Sequence, residues 1–226
     1  MRDPRIRSLV IWTAGAAYAC VCQVTPASAL HDAHPEPSTL QHVLLTVSPQ
    51  LPAIARAALV EQAEALWARA GVRLVWRNGG DHVAETDRAL RVLVIPRPAS
   101  SPSARPEYAL GELLSFGPPN ALAVVSIDRV HDLVNGSHTS STMPPSLQAT
   151  RIGIVLGRAV AHEIGHYLLN SRSHADKGLM RASFDMHELL DGRSGLFELD
   201  DESKAWIQQR IAHGMPIGPA PSTRTD

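Results

Sequence analysis

The chain has 226 residues, a formal net charge of −1, 44% hydrophobic and 4% aromatic residues, and two cysteines. A near-neutral charge with no Lys/Arg cluster argues against a nucleic-acid partner, and so few aromatic rings argue against a base-stacking platform. The length suits one domain with a sizeable core after an N-terminal segment is set aside.

That segment, residues 1–29, reads as a cleavable export signal. Arg2, Arg5 and Arg7 form a positive start, residues 8–24 are apolar and uncharged, and Ala27-Ser28-Ala29 offers the small residues a signal peptidase reads. The expectation is a secreted or periplasmic protein with no stable membrane insertion after cleavage. Cys20 and Cys22 both fall in this segment. The mature chain is therefore expected to lack disulfides, a cysteine nucleophile, a Cys-rich zinc finger and any cysteine-gated latent form.

Residues 30–39 are polar and contain proline, which predicts a flexible start where His31 and His34 read as solvated. A strand follows over 40–47. Residues 52–70 read as an amphipathic helix with Ile54, Ala58, Leu59, Ala65, Leu66 and Trp67 recurring at helical spacing, stopped by Gly71. Residues 72–77 alternate as a strand does, and Asn78-Gly79-Gly80 turns the chain. A strand over 89–95, a Pro/Ser-rich loop over 96–106, a short strand or turn over 108–116, a strand over 121–127 and a short helix over 129–133 come next. After a loop over 135–146, a long helix is expected from 147 or 149 to 169. Ile152, Val155, Leu156, Ala159 and Val160 form its apolar side, and Gly153, Gly157 and Gly165 permit close packing. A last helix is expected over 195–213, capped near Asp200, before a flexible tail over 214–226. The order predicts an α+β domain over 40–213: a twisted mixed sheet packed on a helix and on the long helix, with a small, mostly irregular or helical C-terminal part.

The long helix carries the chemistry. Its run A-H-E-I-G-H-Y-L-L-N contains His162, Glu163 and His166 at the spacing H-E-x-x-H. On a helix, the two histidines lie one turn apart on one face, as two imidazoles sharing a Zn²⁺ must. Glu163 then sits beside the metal, where a carboxylate can take a proton from an activated water. Asn170 tolerates the left-handed conformation that ends a helix. Beyond that turn His174 is the first strong ligand, and Gly178-Leu179-Met180 follows, with Met180 as a candidate apolar floor.

H-E-x-x-H, a helix-ending turn, a third His and a Met turn resemble the metzincin clan of zinc endopeptidases, which includes matrixins and astacins. The strand order upstream is similar to the clan's N-terminal subdomain. The clan's pattern sets Gly three residues after the second His and the third His three residues later. Those positions here hold Leu169 and Arg172, and His174 comes two residues late. A longer turn would still deliver it. The resemblance implies a zincin-like fold, a zinc cofactor on His162, His166 and His174, Glu163 as general base, Met180 as the Met-turn residue, and a peptide or protein substrate. Residues 121–127 are the candidate cleft edge for that substrate. A monomer is expected.

Three alternatives stand beside this reading. In a gluzincin arrangement Glu188 or Glu198 would be the third ligand. A non-catalytic exported zinc-binding module could present the same ligands. A hydrolase of another amide, such as a cell-wall peptide, could use the same water activation. His131, His138 and His187 read as solvated or hydrogen-bonded, Tyr167 reads as a core residue, and Tyr108 is a candidate oxyanion stabiliser.

Overall fold

The computed structural model of the chain describes residues 39–81, 89–96, 109–115, 121–136, 143–192 and 194–213. The expected export signal over 1–29, His31, His34, the loop residues 97–106, Tyr108, His138 and the tail over 214–226 lie outside them. Among the described residues no helix is long and apolar enough to cross a membrane.

Among the described residues five strands form, four where strands were expected and the fourth in chain order where a strand or a turn was: β1 (Thr39–Val47), β2 (Val72–Asn78), β3 (Ala89–Ile95), β4 (Gly111–Ser115) and β5 (Leu122–Ser126). They build one mixed sheet in the order β2-β1-β3-β5-β4. β1 runs parallel to both β2 and β3, and β3 runs parallel to β5. β4 pairs antiparallel with β5 and forms one edge of the sheet. The helix α1 (Ala53–Ala68) joins β1 to β2, supplying the crossover that a parallel pair requires.

Register brings one set of side chains together. Val43 lies beside Leu90, and Val92 beside Ala123, all fully buried, whereas Arg73, Arg77 and Arg91 on the alternate positions are exposed. Each buried aliphatic side chain on that face contributes about 1.5–3 kcal/mol relative to exposure, so a one-residue slip is strongly disfavoured.

The core stripe of α1 is Ala55, Leu59, Ala63, Leu66 and Trp67. This corrects the predicted stripe: Ile54 is 50% exposed and Ala65 is also exposed. The helix α3 (Pro145–Leu169) packs closely on the backbone of α1 through two glycines. A side chain on Gly153 would strike the carbonyl of Ala55, and one on Gly157 would lie 2.6 Å from the carbonyl of Leu59. The Trp67 indole N–H donates to the Ala161 carbonyl at 3.2 Å, pinning α3 just before His162.

The short helix α2 (Ile127–Asn135) begins where Ser126 accepts the Arg129 N–H, earlier than the 129–133 expected. After α3 come α4 (Met186–Leu190), a 3-10 turn (Ser194–Phe197) and α5 (Asp201–His213). The predicted single helix over 195–213 is thus two elements. Asp200 caps the second, accepting the Ser203 N–H at 2.8 Å. Phe197 and Leu199, both buried, anchor the stretch between them.

Candidate metal centre

α3 projects His162 and His166 from one face, their ring centroids 4.6 Å apart. The helix ends as its sequence predicts. Asn170 adopts φ 48° and ψ 42°, its N–H meets the carbonyls of His166 and Tyr167, and the Ser171 N–H reaches the His166 carbonyl at 3.2 Å. These bonds make a Schellman turn that reverses the chain. Three residues later His174 meets the other two rings, its centroid 5.3 Å from that of His162 and 4.9 Å from that of His166. The potential ligand atoms of the three lie within 4.8 Å of one another.

Two of the rings are held by the backbone. The Nδ1 of His162 lies 2.7 Å from the Leu179 carbonyl, and the Nδ1 of His166 lies 2.7 Å from the Ser171 carbonyl. A carbonyl only accepts, so each Nδ1 carries the proton and each Nε2 keeps a lone pair for a ligand. Ser171 therefore serves His166 twice, through its N–H to the helix end and through its carbonyl to the ring.

Burial lowers the pKa of His162 to about 4 and of His166 to about 3, with the neighbouring histidines adding to the effect. It lowers that of His174 as well. At neutral pH all three rings are uncharged, the state a ligating imidazole needs. Three neutral nitrogens converging on one point, with Nδ1 committed on two of them, fit a borderline-soft cation of zinc's kind.

Glu163 is 4% exposed and packs against the start of β4. Met180 is 4% exposed and lies against Gly165, where a side chain would overlap its Sδ. The loop from His174 to Met180 is closed on itself by the Ala175 N–H, which donates to the Met180 carbonyl at 2.9 Å. The Leu179 N–H, donating to the Glu198 carbonyl at 3.2 Å, ties it to the C-terminal part.

Neither alternative carboxylate joins the three histidines among the described residues. Glu188 completes a capping box with Asp185 and pairs with Arg181. Its pKa is lowered, chiefly by the hydrogen bond from Arg181. Glu198 is exposed, and its backbone serves the Leu179 turn. His131 on α2 and His187 on α4 stand outside the cluster, and Tyr167 is buried in the core. β5 lies between β3 and β4, so the predicted cleft edge over 121–127 is corrected: both its sides are paired, and the edge strand on that side of the sheet is β4.

Sequence reasoning missed Arg158. Its guanidinium donates to the Glu188 carbonyl at 2.9 Å and the Asp191 carbonyl at 2.7 Å, and stacks 4.2 Å from the centre of the Phe197 ring. Phe197 in turn stacks on Phe184, which lies under Arg181. One turn before His162, this clamp fastens the C-terminal elements to α3. The available signal was a lone charge inside an otherwise apolar helical run. Gly111 was also missed, and nothing in its own strand marks it.

No protein-family model matches the chain, and no curated protein matches it. Among solved structures it is similar to archaemetzincin from Methanopyrus kandleri, with 14% sequence identity and a TM-score of 0.47 over 77% of this chain and 97% of that one.

Proposed function

We propose that this chain is an exported, metzincin-like zinc peptidase in which His162, His166 and His174 hold the ion and Glu163 moves the proton. The observation that carries this reading is the convergence of three neutral imidazoles, two with Nδ1 already engaged, beside a buried carboxylate. Three protein ligands leave a coordination position open, as in catalytic rather than structural zinc sites. Zinc bound there supplies a Lewis acid that lowers the pKa of a water and polarises a scissile carbonyl. The Glu163 carboxylate accepts the proton of the attacking water and returns it to the leaving nitrogen. Met180 is the proposed Met-turn residue, an apolar support beneath the histidines. Export rests on the residues of 1–29.

The edge strand suits a peptide substrate. The Leu110 carbonyl accepts the Ser126 N–H at 2.9 Å, so Leu110 and Glu112 spend their backbone groups on β5. By antiparallel alternation Gly111 and Leu113 direct theirs outward, where an extended peptide can pair as a further strand. A bulge at Leu114 interrupts the ladder, and its carbonyl accepts from Arg172 at 3.4 Å, which limits pairing at that end. A peptide aligned on Gly111 passes beside Glu163.

Cleavage of casein or gelatin by the purified protein, abolished by a chelator and restored by zinc, tests the reading. Glu163→Gln should lower kcat by about 10²–10⁴-fold with bound zinc unchanged. Activity that survives this substitution overturns the mechanism, and a wild-type protein that binds zinc but cleaves nothing favours the non-catalytic module. Cell-wall peptides assayed in parallel separate the third alternative.

A further inference from the structure

We infer that Gly111 is a positioning residue for Glu163, and that the bare backbone of β4 at this point sets where the carboxylate sits. A Cβ built on Gly111 would lie 2.7 Å from Oε1, 3.0 Å from Cγ and 3.2 Å from Cδ of Glu163, and these are its three nearest atoms. Real Cβ atoms essentially never approach a neighbour closer than 3.0 Å, so the 2.7 Å contact with Oε1 means that a methyl here must push the carboxylate aside, and the other two contacts are tight. Glu163 has little room to yield, being 4% exposed between α3 and the sheet. Ile164 beside it in sequence is fully buried, and the Trp67 indole N–H holds α3 at the Ala161 carbonyl.

Glycine weakens a strand, giving up side-chain packing and costing extra backbone entropy. Gly111 stands in the edge strand of the sheet, where its pairing with Val125 gains nothing from the missing side chain. The close approach of Glu163 accounts for it. The same residue directs its backbone groups outward toward a substrate strand, so one position registers both the base and the peptide. That catalytic consequence rests on the peptidase reading, but the packing of Gly111 on Glu163 does not.

The test is a double-mutant cycle read first without activity. Gly111→Ala should lower Tm by about 5 °C, because overpacking outweighs the gain in strand entropy. In a Glu163→Ala background the space opens, and adding Gly111→Ala should then change Tm by no more than about 1 °C. If Gly111→Ala alone does not fold, recovery of a folded protein in the double variant supports the coupling. An equal loss in both backgrounds, or failure of both to fold, overturns it. If the wild type hydrolyses peptides, Gly111→Ala should reduce kcat by at least about 10-fold with KM within about 3-fold and zinc content unchanged. A change confined to KM overturns the positioning role. Gly192→Ala, where an added Cβ meets nothing within 4 Å, is the control expected to leave kcat and Tm unchanged. A wild type without activity would sink the peptidase reading and still leave the Tm cycle decisive for the contact.

Discussion

The His162 ring and the Leu179 backbone are joined by a 2.7 Å hydrogen bond, which fastens the helix of the H-E-x-x-H run to the residue before Met180. Leu179 is itself held by the Glu198 carbonyl. The ligand helix, the loop bearing His174 and the C-terminal part therefore form one hydrogen-bonded unit. Rigid support of this kind is what a preorganised metal site needs.

Removing His174 should show which residues complete the ligand set. His174→Ala is expected to weaken zinc binding by more than about 100-fold, exceeding the usual loss when only an outer-shell partner is removed. Glu188→Gln and Glu198→Gln should each leave affinity within about 2-fold. Competition with a chromophoric chelator measures all three, and a large effect at either glutamate would restore the carboxylate-ligand arrangement.

Acid should destabilise the metal-free protein through the same histidines. Folding lowers the pKa of His162 to about 4 and that of His166 to about 3, from an ordinary value near 6.5. Above about pH 6.5 both states hold these rings neutral, and the stability is fully present. As pH falls through the window from about 6.5 toward 4 and 3, the unfolded chain takes up protons that the folded one refuses. Stability is lost by at most about 1.4 kcal/mol per pH unit for each group. Tm measured from pH 7 to pH 4 should fall more steeply for the wild type than for His162→Asn/His166→Asn. Parallel slopes would contradict the burial of these rings.

Gly165 sets helix propensity against crowding. Gly→Ala inside a helix ordinarily stabilises by about 1 kcal/mol. Here the new methyl would overlap Met180 Sδ and lie 3.1 Å from its Cε, within a packed core. Overpacking costs about 1–3 kcal/mol, so Gly165→Ala should be destabilising on balance. Urea unfolding decides the sign, and a stabilised variant would mean that Met180 moves freely away.

Arg158 should matter to stability far more than a surface arginine. Its pKa is pushed down to about 10 by burial, yet it remains charged at neutral pH while bridging two carbonyls and covering Phe197. Arg158→Ala is expected to cost about 2–4 kcal/mol through lost hydrogen bonds and lost packing. Arg158→Lys should recover less than half, because an ammonium cannot reproduce the planar fork. Hydrogen exchange should speed up across α4 in both variants. Unchanged protection there would remove the clamp from the account.

The sequence by itself determined what local chemistry governs. Alternation marked β2, because burying one face of a sheet demands period two, and short apolar runs marked β1, β3 and β5. The spacing of His162 and His166, and the left-handed Asn170 after Leu169, are properties of a helix and its end. They need no distant partner to be read. Where the answer lay one helical position away, as with Ile54 and Ala55, periodicity alone did not resolve which residue was buried.

Only the tertiary structure decided the rest, because those contacts join residues that no periodicity relates. The reach of His174 depends on a Schellman turn followed by a loop closed on Met180. The loss of Glu188 as a ligand candidate depends on Arg181 and Asp185 claiming its carboxylate. The sheet edge beyond β3 belongs to β4 rather than β5 because strand order follows from tertiary packing, which no local hydrophobic pattern encodes. Gly111 and Arg158 are the clearest cases. The meaning of each comes from outside its own element, from Glu163 in one case and from the Glu188 and Asp191 carbonyls in the other.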